Sequence, residues 1–128
     1  MPRNYQHTKN NNYWMPNALY RQMIYIFRDY ERTKSEAEEI LLASSGGYSG
    51  IKSAPGDPTA NKALKYGEMI RIIDAVNNAL QQLPQEYRLG VFNNITYGSP
   101  FPAIAHRNTW STWRSRALFY TAKNLHRL

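Results

Sequence analysis

The chain has no cysteine, which excludes disulfides and cysteine-based zinc sites. It also has no long apolar run: nowhere do the roughly 20 apolar residues of a membrane span occur together. Residues 1–13 are polar and rich in asparagine and lack the hydrophobic stretch of a signal peptide, so a cytoplasmic location and no membrane partner are expected. A third absence is local. No Asp or Glu follows Glu86, whereas Arg88, Arg107, Arg114, Arg116, Lys123 and Arg127 all do. Of the formal net charge of +7, all but one unit sits in the last third of this 128-residue chain. Such asymmetry points to a polyanionic partner at the C-terminal end. The histidines, His7, His106 and His126, are too far apart in sequence for two to share a helical turn, so no metal pattern forms. Glu36, Glu38 and Glu39 have no histidine near them, and no catalytic set can be assembled. Neither an enzyme nor a cofactor is expected. Gly50-Ile51-Lys52-Ser53 looks like the end of a phosphate-binding loop, but Gly and Lys are not adjacent and no strand precedes them.

The segments that remain carry helical periodicity. Asn17 is placed to cap a helix in which Leu19, Met23, Ile26, Tyr30, Ala37 and Leu41 recur at spacings of three and four. The pattern predicts one long, kinked helix over residues 17–43; a capping box from Thr33 to Glu36 is the alternative that would split it. Gly and Pro in residues 44–57 make a connector. Asp57-Pro58 then starts a second helix, to about residue 82, antiparallel to the first. Its apolar face holds Ala63, Tyr66, Ile70, Ile73, Leu80 and Leu83, with Leu64, Ile72 and Val76 beside it. Leu83-Pro84 ends it. A third helix buries Tyr87, Val91, Phe92 and Ile95 and stops at Tyr97-Gly98. Pro100 and Pro102 leave room for only a turn or two of helix up to Ala105, with Phe101 and Ile104 pointing inward.

Residues 106–128 contain no Gly, Pro or acidic residue. As a helix they place Trp110, Trp113, Ala117 and Tyr120 on one face, and Asn108, Ser111, Thr112 and Ser115 on the other, with arginines on the flanks. Both tryptophans are expected in the core. Arg107, Asn108, Ser111, Thr112 and Ser115 are the candidates for base contacts, because Arg and Asn read G and A bidentately. Arg88, Arg114, Arg116 and Lys123 are the phosphate candidates. Leu118, Phe119, Ala122 and Leu125 lie opposite Tyr120, so both sides of this helix need cover, from the earlier helices or from a second copy in a homodimer. The expected fold is all-α: residues 1–16 a disordered arm, 17–83 a long antiparallel helical hairpin, and 84–128 a compact C-terminal helix-turn-helix.

Two stretches carry a resemblance to a known family. One is Asp57-Pro58-Thr59-Ala60-Asn61-Lys62-Ala63-Leu64 after the Gly/Ser loop. The other is Leu83-Pro84-Gln85-Glu86-Tyr87-Arg88, followed by a basic helix with Thr109, Trp113 and Arg114. Over residues 17–127 the arrangement resembles the ArpU/RinA-type phage transcriptional regulators, whose C-terminal helix-turn-helix is similar to region 4 of sigma factors. The family's recognition-helix pattern falls on His106, Arg107, Asn108, Thr109, Trp113 and Arg114. The chain departs from the family at His106, where a serine usually caps the helix, with a start at Asn108 as the alternative. It departs again at residues 100–105, which are much shorter than the family's acidic second helix. The resemblance implies sequence-specific binding of double-stranded DNA, control of late phage or prophage genes, and contact with RNA polymerase. A small-terminase-like packaging adaptor and a helical protein-interaction module without nucleic-acid binding are the rival readings.

Overall fold

In a computed structural model, residues 12–45 and 58–128 are described. They form five helices and, among the described residues, no strand: α1 (Asn17–Arg28), α2 (Tyr30–Ser45), α3 (Pro58–Gln81), α4 (Gln85–Tyr97) and α5 (Arg107–Asn124). The all-α expectation agrees with this. The connector at 46–57, the Asp57 cap and the Gly50–Ser53 stretch lie outside the described residues, as do residues 1–11.

The single first helix expected over 17–43 is divided, and the break falls at Asp29 rather than at the Thr33 capping box. Asp29 has φ −92° and ψ 1°, yet hydrogen bonding runs straight through it. Its N–H donates to the Tyr25 carbonyl and its own carbonyl accepts from Thr33 N–H, both at 2.9 Å. The Arg32 guanidinium grips the Asp29 carboxylate and reaches Glu36 at 2.6 Å. Hydrogen bonding from Arg32 holds the Asp29 carboxyl below its ordinary range. Asn17 is not the cap of α1: Pro16 occupies that position, no side chain caps the helix, and Asn17 is already helical.

The bend at Asp29 gives the two helices different partners. α2 pairs with α3, and α1 packs on α4 and α5. The Tyr30 hydroxyl donates to Asn77 Oδ1 at 3.0 Å, and Lys65 Nζ lies 3.9 Å from Glu36. Moving forward along α2 therefore means moving backward along α3, which makes the pair antiparallel. The α1 face Tyr20, Met23, Ile24 and Phe27 is buried. Phe27 and Tyr30 both meet the Phe92 ring of α4. The hairpin expected between 17–43 and 58–82 is thus formed by α2 and α3, with α1 belonging to the C-terminal half.

α3 stops before Pro84. Arg88 reaches back to its end, donating to the carbonyls of Leu83 and Gln81 at 3.0 and 3.1 Å, groups that a helix terminus leaves without partners. α4 closes on Gly98 in the left-handed region (φ 70°). Gly98 N–H donates to the Asn94 carbonyl at 2.9 Å, the single bond of a helix ended by a left-handed glycine, and Ser99 N–H donates to the Asn93 carbonyl at 3.3 Å. From Gly98 to His106 there is no helix, only a turn at Ala103-Ile104. The helical turn expected there is absent, in keeping with Pro100 and Pro102, which disfavour the helical conformation at the residues before them, Ser99 and Phe101. Phe101 packs as expected. Ile104, expected to point inward, is 64% exposed.

Two further placements differ from expectation. Met15 is fully buried, and Tyr13 packs edge-on against Phe119 of α5 at 5.2 Å. Tyr13 and Met15, which fall within the expected 1–16 arm, are thus packed against the helices. α4 and α5 approach closely at Gly90, where a Cβ would lie 2.6 Å from the Trp110 ring and 3.1 Å from Pro102. Gly67, inside α3, has nothing within 4 Å of the same position. Gly90→Ala is expected to destabilise by about 1–3 kcal/mol through overpacking, whereas Gly67→Ala should stabilise by about 0.5–1 kcal/mol. Thermal melts of the two variants check this, and the signs must be opposite.

Candidate functional site

α5 is seated by its buried face. Trp110, Ala117, Leu118, Thr121 and Ala122 are buried along it, followed by Leu125 just past its end. Trp110 sits at the centre of an aromatic group: Phe101 stacks on it at 5.2 Å with the rings 9° from parallel, and Tyr87 meets it edge-on at 4.9 Å. Trp113 is half-buried and stacked on Tyr87 at 5.9 Å. The assignment of both tryptophans to the core side holds.

The helix begins at Arg107, and His106 serves as its cap: Nδ1 accepts from Asn108 N–H at 3.0 Å. The imidazole does the work expected of a serine there. Arg107, Asn108 and Thr112 are exposed. Thr112 Oγ1 donates to the Asn108 carbonyl at 2.9 Å, which uses its proton and leaves its lone pairs outward. Ser111 and Ser115 are half-buried. The buried face includes Leu118 and Ala122, which turns the helix so that these two serines lie at its edge. The five base-contact candidates therefore divide into three that are presented and two that are marginal.

The four phosphate candidates divide more sharply. Arg88 caps α3. Arg114 lies half-buried among three helices, donating through Nε to Asn94 Oδ1 of α4 at 3.0 Å and through Nη1 to the Tyr20 hydroxyl of α1 at 2.9 Å. Asn94 uses its other end to donate to the Ser99 carbonyl at 2.8 Å, so one guanidinium ties α1, α4, α5 and the connector. Arg116 is sandwiched between the Tyr13 ring (4.7 Å) and the Trp113 ring (4.9 Å). Lys123 is exposed, on an open groove of about 820 Å³ between α3 and the end of α5 that also involves Arg71, Asp74 and His126. At 1.5 Å per residue it lies roughly 24 Å from Arg107 along the helix.

The sides of α5 that needed cover are covered within the chain: α1, α3 and α4 pack on it, and Tyr13 lies against Phe119 and Tyr120. Burial, then the neighbouring Tyr13, raises the Tyr120 phenol above its ordinary value, with Arg116 pulling the other way. Among the described residues no group of three or more His, Asp or Glu is arranged to hold a metal ion. No described helix is long and apolar enough to cross a membrane. No family model, curated protein or solved structure matches the chain.

The sequence pattern missed the structural duties of Arg88 and Arg114. The signal for Arg88 was present: it stands four residues after the Pro84 that ends α3, within reach of its last carbonyls. Nothing in the sequence marked Asn94 and Tyr20 as partners of Arg114. Arg114→Ala, which leaves Asn94 Oδ1 without its donor, should cost about 1–3 kcal/mol, while exposed Arg107→Ala should stay within about 0.5 kcal/mol; denaturant unfolding separates them. For Tyr120, the folded state favours the neutral phenol. That stability is full below the ordinary phenol value near 10 and is lost as pH rises through the raised folded value. Tyr120→Phe should therefore lose less stability than the native chain as pH rises above about 10.

Proposed function

We propose that the chain is a sequence-specific DNA-binding regulator of phage or prophage genes, of the ArpU/RinA type that its sequence resembles. The observation that carries this reading is the N-terminal end of α5. Arg107, Asn108 and Thr112 are exposed there, on a helix whose other side is locked by Trp110 and Arg114. These are side chains that read base edges in a major groove, and no acidic residue follows Glu86 to repel phosphates. Regulation follows from occupancy of a promoter-proximal site, with contact to RNA polymerase as the family analogy implies.

The commitments of Arg88 and Arg114 set the electrostatic share of binding. Arg107, Arg116 and Lys123 remain for phosphates, and each contact adds about 0.9 to the slope of log affinity against log salt. The slope should therefore be no steeper than about −3, and Arg88→Gln should leave it unchanged while lowering the melting temperature. The direct test is to bind the full chain to fragmented phage or prophage DNA at two salt concentrations and sequence what is retained. Enrichment of one region that survives the higher salt, lost in Arg107→Ala with Asn108→Ala, supports a regulator. Retention of all fragments, lost steeply with salt, favours packaging or architecture. No retention at the lower salt removes the DNA reading.

A further inference from the structure

The connector between α4 and α5 presents an apolar edge where a solvated loop would carry polar side chains. Pro100, Phe101, Pro102, Ala103, Ile104 and Ala105 follow one another without a hydroxyl, amide or charge, whereas turns facing water usually hold Gly, Asn, Asp or Ser. The stretch is not loose. Asn94 fixes its start through the Ser99 carbonyl, Phe101 is stacked on Trp110, and the His106 cap fixes its end. Pro102, Ala103 and Ile104 are exposed on this pinned backbone, and the Ile104 side chain, at 64%, is the largest of them to face outward. It stands three residues before Arg107, at the same end of the helix as Arg107 and Asn108.

We propose that Ile104 is a specificity-determining residue that contacts the C5-methyl group of a thymine beside the base pairs faced by Arg107 and Asn108; this rests on the DNA-binding reading above. The major groove offers one apolar feature, the thymine methyl, and small apolar side chains are its complement. The size of the edge argues against a protein partner. A stable protein interface covers about 800 Å² on each side, far more than one isoleucine, one alanine and two prolines present, whereas a single methyl matches it. The turn cannot swing away, so the side chain meets DNA in a fixed register with Arg107. Ile104 thereby adds to the guanidinium and the carboxamide an apolar contact that hydrogen bonding cannot supply.

The test uses the full chain. Its preferred duplex is first selected from random-sequence DNA, and each thymine is then replaced singly by uracil, which removes only the methyl. One replacement should weaken the native chain about three- to fivefold, the factor for burying one methyl-sized group. Ile104→Ala should bind the unmodified duplex weaker by a similar factor and show no further loss at that thymine, while losses at other positions remain. Ile104 is exposed, so the variant keeps the fold, which a matching melting temperature verifies. If a site is selected and depends on Arg107, but no thymine shows an Ile104-dependent loss, the assignment of Ile104 is overturned and the DNA reading stands. If the native chain selects no site, both fall.

Discussion

The structure depends on how Trp110 is seated. Its indole lies where a side chain on Gly90 would otherwise stand, with Phe101 stacked on it and Tyr87 against its edge. Three segments, α4, the connector and the start of α5, thus converge on one ring that is 1% exposed. In a helix-turn-helix the helix before the recognition helix packs across it and sets its angle. Here no helix occupies residues 98–106, and the angle is set instead by aromatic packing and by the Arg114–Asn94–Ser99 chain. The arrangement carries a cost. Among the described residues Trp110 Nε1 finds no acceptor, and an unpaired buried donor costs about 1–3 kcal/mol. The ring's large apolar area and its two aromatic neighbours offset it.

The arginines show that charge along a sequence and charge offered to a partner are different quantities. Arg88 is spent on helix-end carbonyls, Arg114 on a carboxamide and a phenol, and Arg116 on two rings. All three keep their positive charge and so contribute to the long-range field. Arg88 and Arg114 do not have a fork free for a bidentate contact without giving up hydrogen bonds that hold the fold. Arg127 likewise donates to Gln22 at 3.2 Å. The short-range chemistry of α5 therefore concentrates at its first turns, while its C-terminal half serves the core.

The helices themselves were legible because apolar spacing and the Gly/Pro breaks report local geometry. Pro58 and Pro84 mark the start of α3 and the approach to α4, and Gly98 ends α4 in the conformation that glycine adopts most easily. What was not legible is relational. The bend at Asp29 leaves the hydrogen-bond ladder intact, so the period passes through it unchanged, yet it decides that α1 packs on α4 and α5 rather than on α3. The buried side of α5 was ambiguous because apolar residues occur all round it, and only its neighbours choose among them. Ser111 and Ser115 fell to the edge for that reason. Ile104 is apolar and so reads as core, but composition cannot say that Phe101, rather than Ile104, packs on Trp110.

Under the proposed DNA-binding function, these features together constrain how α5 would meet a duplex. Tyr13 crosses the outward side of α5 at Arg116, Phe119 and Tyr120, so the middle of the helix is occupied by its own chain. α3 and the groove edge take its far end. A duplex lying lengthwise along α5 would have to displace Tyr13 and break the stack on Arg116. An approach at the N-terminal end displaces nothing: Arg107, Asn108 and Thr112 already face outward, and the positive end of the helix dipole adds to their attraction for phosphate. On the DNA-binding reading proposed above, the same packing that commits Arg114 to the fold would favour docking at this end, and would leave recognition to about one and a half turns of helix and the edge before it.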